Sequence, residues 1–198
     1  MLRKIIVEIV RVIACVLFPY KSRGKENVPA EGGYVLCCNH VSMLDPVHLI
    51  LGQKRHIYFM AKKELFPNAF ARWLFSTVLG AFAVDRDGSD KDAIVHAINL
   101  VKNGHIMGIF PEGTRSKDGK LGRVKAGAAM IAARTGAEVI PCCVLRKDMK
   151  LRLFSKTTVV YGQPIPPSEL HLDGERPDLR YASRMLTERI SALMEENR

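Results

Sequence analysis

Apolar residues along this chain follow two spacings, and the two alternate. Tyr34–Cys38 (YVLCC), 57–60, Ala81–Val84, 105–110 and 138–145 are short apolar runs, each predicting a buried strand. Between them the spacing lengthens to that of a helix. Ser89 with Asp92 forms a capping-box pattern, and Ile94, Ala97, Ile98 and Val101 follow at i, i+3, i+4 and i+7. Gly104 is placed to end that helix. Further helices are expected from about Asp45, over 68–79 and over 124–134, and a closing one carries Leu179, Ala182, Leu186, Ile190 and Leu193. Segments 150–154 and Thr157–Tyr161 are expected to pair as late strands. Strands alternating with helices predict an α/β fold, a single αβα sandwich on a mostly parallel (mixed) sheet. With no linker, repeat or low-complexity tract, residues 21–198 read as one domain. Open sheets of this kind gather their sites in loops beyond the carboxyl ends of strands. The loops after Cys38 and Phe110 therefore matter most.

The first twenty residues carry a different pattern. Lys4, Glu8 and Arg11 form one polar stripe on a helix whose other faces are Ile, Val and Leu, with Arg3 beside it. The longest uncharged run, 12–20, falls far short of the roughly 20 apolar residues a spanning helix needs. No small-residue cleavage site follows it. The expectation is an amphipathic helix lying in the membrane interface over residues 1–20, ahead of the globular domain.

Charge sharpens that picture. Thirty Lys and Arg against 20 Asp and Glu leave a net charge of +10. The excess sits in residues 1–25, with 6 basic against 1 acidic, and in 115–156, with 11 against 3. Such segments suit phosphate-bearing partners, among them an anionic membrane surface. Aromatics are only 7% and no aromatic–basic run of an RNA reader occurs, so nucleic acid is not expected. The five cysteines show no CxxC spacing and have no paired histidines, so they predict buried, reduced thiols and no metal site.

The chemistry-bearing residues follow the first core strand as Asn39-His40-Val41-Ser42-Met43-Leu44-Asp45. An Asp one helical turn beyond a His can fix the imidazole tautomer and stabilise the imidazolium formed when the other nitrogen takes a proton. With 6 His and 9 Asp in the chain, chance supplies roughly 0.3 such pairs, so the spacing needs company. That company is Phe110-Pro111-Glu112-Gly113-Thr114-Arg115-Ser116. Arg115 offers a planar fork for phosphate oxygens, Gly113 permits close backbone approach, and Thr114 and Ser116 add hydroxyls. Glu112 is suited to orienting Arg115 or meeting a substrate hydroxyl.

NHVSMLD and FPEGTRS, in that order and about 70 residues apart, resemble two signature blocks of the 1-acylglycerol-3-phosphate acyltransferase family. The segments 80–86 (GAFAVDR) and Val139-Ile140-Pro141 are similar to its other two blocks, and 60–65 also resembles family members. The resemblance covers roughly residues 20–165. It implies that His40 deprotonates the free hydroxyl of a lysophosphatidic acid and that Asp45 orients it. Arg86 and Arg115, with Glu112, Gly113 and Thr114, would hold the acceptor. Lys62 would stabilise the developing oxyanion, and Lys125 would be a lesser phosphate or carrier contact. The implied donor is acyl-coenzyme A or an acyl-acyl carrier protein, with no bound cofactor and no metal. The implied place of work is peripheral, on the cytoplasmic face of the cell membrane.

Rival chemistries fit less well. A serine hydrolase built on Ser42 would want a G-x-S-x-G elbow, and a P-loop enzyme GxxxxGK[ST]; neither occurs. The other histidines are scattered singly, unlike the ligands of a metal hydrolase. Glycerol-3-phosphate or another lysolipid remains an alternative acceptor, and a basic membrane- or RNA-binding module is the non-enzymatic alternative.

Overall fold

The structure is a computed structural model that describes residues 8–9, 12–13, 15–84, 91–146 and 154–198. Its strands are β1 (Tyr20–Arg23), β2 (Tyr34–Cys38), β3 (Ile57–Lys62), β4 (Ala81–Val84), β5 (Ile106–Ile109), β6 (Val139–Arg146) and β7 (Thr157–Tyr161). Its helices are α1 (Asp45–Leu51), α2 (Ala69–Trp73), α3 (Lys91–Lys102), α4 (Gly127–Thr135) and α5 (Leu179–Glu196). The strands form one sheet in the order β1-β7-β6-β2-β5-β3-β4. Pairs from β6 through to β4 are parallel, β6 and β7 are antiparallel, and β1 runs parallel to β7. Two of these features depart from the expected pattern. Strand β1 was not anticipated, because YKSR is polar and sits at an edge of the sheet. The strand expected over 150–154 lies, but for Phe154, outside the described residues, and β7 has β1 and β6 as its neighbours. The expected helix over 68–79 is an α-turn that widens into a π-turn over Leu74–Val78.

Alternation along each strand sorts side chains onto two faces. Val35, Cys37, Met107, Val139 and Cys143 pack under α3, α4 and α5, against Ala97, Ala128, Ile131, Leu186 and Ile190. Leu36, Cys38, Ile106, Ile140 and Cys142 face the other way, toward Leu49 of α1, with Tyr161 among them. These are the two interfaces of the expected αβα sandwich. Burying a Leu or Ile at such positions contributes about 1.5–3 kcal/mol each relative to exposure. The amphipathic helix expected over residues 1–20 falls mostly outside the described residues; 8–9, 12–13 and 15–17 are helical.

The adjacent cysteines split across the sheet, as neighbours in a strand must. All five are free, and only Cys15 is not fully buried. Burial, aided by the nearby Glu112 charge, pushes the Cys37 thiol up to about 12, and burial alone does the same for Cys143. Burial raises Cys38 and Cys142 further. A thiol held in its protonated form is a poor nucleophile. A disulfide thiol reagent is expected to titrate Cys15 alone in the native protein and all five cysteines after unfolding. Rapid native reaction of more than one would contradict this packing.

Candidate active site

The register of β2 against β5 builds the site. Cys37 stands opposite Ile109, so three residues further on His40 comes beside Glu112. Both strands end at the same edge and release their loops side by side. His40 is one-fifth exposed, and its Nδ1 lies 2.9 Å from Oδ2 of Asp45, which is fully buried. The same Oδ2 accepts the backbone N–H groups of Val41 and Ser42, each at 2.7 Å. A carboxylate oxygen can only accept, so Nδ1 carries a proton, and in the neutral imidazole Nε2 holds the lone pair. Asp45-Pro46 opens α1, where a carboxylate meets orphan backbone donors and the positive helix end.

Glu112 is expected at the acceptor, and the structure puts it beneath the catalytic loop, 8% exposed. Its Oε1 accepts the backbone N–H of His40 at 2.8 Å, and its Oε2 accepts that of Gly122 at 2.8 Å. The backbone N–H of Ser116 donates to the His40 carbonyl at 2.7 Å. The two motif loops are therefore bolted together through His40 itself. Gly113 turns the chain at φ 74, a left-handed conformation that suits glycine, with the Lys125 ammonium beside its Cα.

Three supports were not foreseen. Asn39 is buried, with its Oδ1 accepting from Val144 N at 2.7 Å and its Nδ2 donating to Val144 O at 3.1 Å. Its amide continues the β2–β6 ladder one residue past the strand, freeing the backbone to turn toward His40. Phe110 stacks on the His40 ring, with centroids 4.2 Å apart and planes 22° apart, and Phe59 stacks on Phe110 at 5.7 Å. Gly108 makes room for this column, since a Cβ there would lie 2.3 Å from the Phe59 ring. Asn39 and Phe110 stand inside the two motifs, which was the available signal.

His40 opens onto a cavity of about 630 Å³. Its polar rim is Lys62, Thr114 and Arg115, and its walls are Phe59 and Ile109, Met43 from the loop after β2, Pro46 from α1, and Phe75 and Leu79 from the stretch that follows α2. Lys62 lies within 3.8 Å of Glu64, an exposed pair worth little to stability. The structure thus brings together His40, Asp45, Lys62, Gly113, Thr114 and Arg115, with Glu112 and Lys125 supporting the loop. Arg86 lies outside the described residues. Ser42 is buried, and its Oγ accepts from Leu44 N at 3.2 Å, which fits a turn-forming role and not a nucleophile. Among the described residues no cluster of three potential metal ligands occurs. Nor is any helix among them long and apolar enough to cross a membrane.

Comparison with known proteins adds the family to this geometry. A family model described as Acyltransferase matches residues 20–145. The 1-acyl-sn-glycerol-3-phosphate acyltransferase of Bacillus subtilis is 35% identical over 87% of this chain and 87% of its own length. Its namesake from Streptococcus pneumoniae is 31% identical over 82% of this chain and 62% of its own length. The crystal structure of the 1-acyl-sn-glycerophosphate acyltransferase PlsC from Thermotoga maritima superposes with a TM-score of 0.73 at 26% identity, covering 99% of this chain and 82% of that one. The chain is an enzyme of the acyltransferase family, within the branch that holds the 1-acyl-sn-glycerol-3-phosphate acyltransferases.

Proposed function

We propose that this enzyme moves a fatty acyl group from an acyl thioester to the free hydroxyl of 1-acylglycerol-3-phosphate, giving phosphatidic acid for phospholipid biosynthesis. The observation that carries the reading is the His40–Asp45 pair, tied through Glu112 to the Arg115 loop at the mouth of an apolar cavity. The acceptor's phosphate sits on Arg115, with Arg86 and Lys125 as further cations, and its glycerol lies by Gly113 and Thr114. Its hydroxyl proton passes to Nε2 of His40 as the oxygen attacks the thioester carbonyl carbon. The buried Asp45 carboxylate stabilises the imidazolium. Lys62, at the rim, answers the charge on the tetrahedral oxygen. When the C–S bond breaks, the departing thiolate takes the proton back from Nε2. An ester and a free thiol result, and His40 is restored.

The apolar walls suit acyl chains, and the basic edge suits an anionic membrane surface. Peripheral association at the cytoplasmic face places the enzyme where acyl-coenzyme A or acyl-acyl carrier protein is supplied. The purified chain, given lysophosphatidic acid and either donor, is expected to form phosphatidic acid, followed by chromatography of a labelled acyl group. Preferential acylation of glycerol-3-phosphate, or of a lysolipid lacking a phosphomonoester, would overturn the acceptor assignment.

A further inference from the structure

The apolar residues left on the surface are not scattered. Of the ten large hydrophobic side chains exposed among the described residues, only Val95 and Met130 belong to helices on the far face of the sheet. The rest lie on segments that meet the edge where His40 and Arg115 emerge. Met43 is in the loop after β2, and Phe70 and Trp73 lie on α2, which the chain reaches from the end of β3. Because β1 and β7 run against the other strands, the chain enters both of them at this same edge. Phe154, just ahead of β7, donates its N–H to the Leu17 carbonyl at 2.7 Å, which joins the helical amino-terminal segment to the edge.

Phe70 and Trp73 are the most telling pair. They stand one turn apart on α2, 69% and 41% exposed, with ring centroids 6.1 Å apart. The side chain of Asn68 caps this turn by accepting from Ala71 N at 2.9 Å, so the aromatics are held outward on ordered backbone. From the same stretch of chain, Phe75 and Leu79 face inward and wall the cavity. Cations surround the pair: Arg72 stands between them, Lys62 and Lys63 precede them, and the exposed Arg115, Lys117, Lys120, Arg123 and Lys125 share the edge. Among the described residues, Glu64 and Asp118 are the exposed acidic residues in these stretches, and Glu112 is buried. An indole beside cationic side chains matches a lipid interface, with its ring at headgroup depth and positive charge against phosphate.

We propose that Phe70 and Trp73 seat the enzyme on an anionic bilayer, so that α2 forms the threshold between lipid and the acyl cavity. The proposal rests on the lipid-acylating function above, and it adds the surface through which the lipid arrives. Trp73 is the single tryptophan of the chain, so its emission reports on this surface alone. With vesicles of phosphatidylglycerol and phosphatidylcholine, the full chain should show a blue shift, and lipids brominated on their acyl chains should quench it. Phosphatidylcholine alone should do neither at the same lipid concentration. Removing one buried aromatic from such a contact costs at least about tenfold in affinity. Phe70→Ala is therefore expected to need about tenfold more lipid for the same Trp73 shift. Its activity on bilayer-presented lysophosphatidic acid should fall, while its activity on a short-chain, water-soluble one stays unchanged.

If wild-type emission stays put while the chain still pellets with vesicles, the amino-terminal segment alone holds it and the proposal is overturned. A shift produced by acidic acyl carrier protein and not by vesicles would overturn it in favour of a protein partner. Failure to acylate even the short-chain acceptor is a different result, since that sinks the proposed function.

Discussion

Replacing His40 with alanine is expected to lower kcat by about 10³–10⁴, with little change in KM for either substrate. The imidazole is the group placed to take the hydroxyl proton, and an alanine leaves that proton to water. Folding should survive, because what ties residue 40 in place is its backbone: its N–H meets Glu112 and its carbonyl meets Ser116. A melting curve on the same sample separates a lost base from a lost fold. Activity within a few-fold of wild type would remove His40 from the reaction. His40→Gln is the stricter variant, since its amide can fill the space and hydrogen-bond Asp45 without acting as a base.

Asp45→Asn should produce two effects that report on different roles. The carboxylate that stabilises the imidazolium is gone, so kcat should fall by about 10²–10⁴ while KM stays near its original value. The second effect is structural. Oδ2 accepts three donors, and Oδ1 is buried with no hydrogen-bond partner. With the amide oxygen turned to the three donors, the new NH₂ occupies the Oδ1 position and finds no acceptor. A buried, unsatisfied donor of this kind costs about 1–3 kcal/mol. Denaturant unfolding checks that term, and steady-state kinetics well below the melting temperature checks the first. A variant that loses stability but keeps kcat would make Asp45 a helix-start residue and nothing more.

Much of this fold could be read from apolar spacing because its strands are buried on both faces. YVLCC and VIPCCV carry no polar residue, and the period of α3 and α5 is regular. The polar edge strand β1 escaped because its order comes from β7, about 137 residues away, and not from its own composition. The reversed direction of β1 and β7 escaped for the same reason, since pairing partners leave no mark on a short strand.

The site was legible as two motifs and a resemblance, while its mechanics were not. Glu112 reads as a ligand-facing acid beside Arg115, yet both its oxygens go to backbone N–H groups of two loops. Asn39 reads as a preface to His40, yet it extends the sheet. In each case the residue type was visible and the partner was not, because the partner lies 72 or 105 positions away.

Those separations carry a consequence for how the enzyme comes into being. Contacts between distant parts of a chain form late, since the loop between them must close first. His40 is aligned only when residues near 112–122 have folded over it and Val144 has joined the Asn39 amide. A chain still emerging from the ribosome, with β2 made and β6 not yet released, holds every residue of the first motif and no working base. Catalytic competence would thus switch on abruptly as the central strands close, so that a half-made chain has no reactive histidine to turn loose on cellular thioesters.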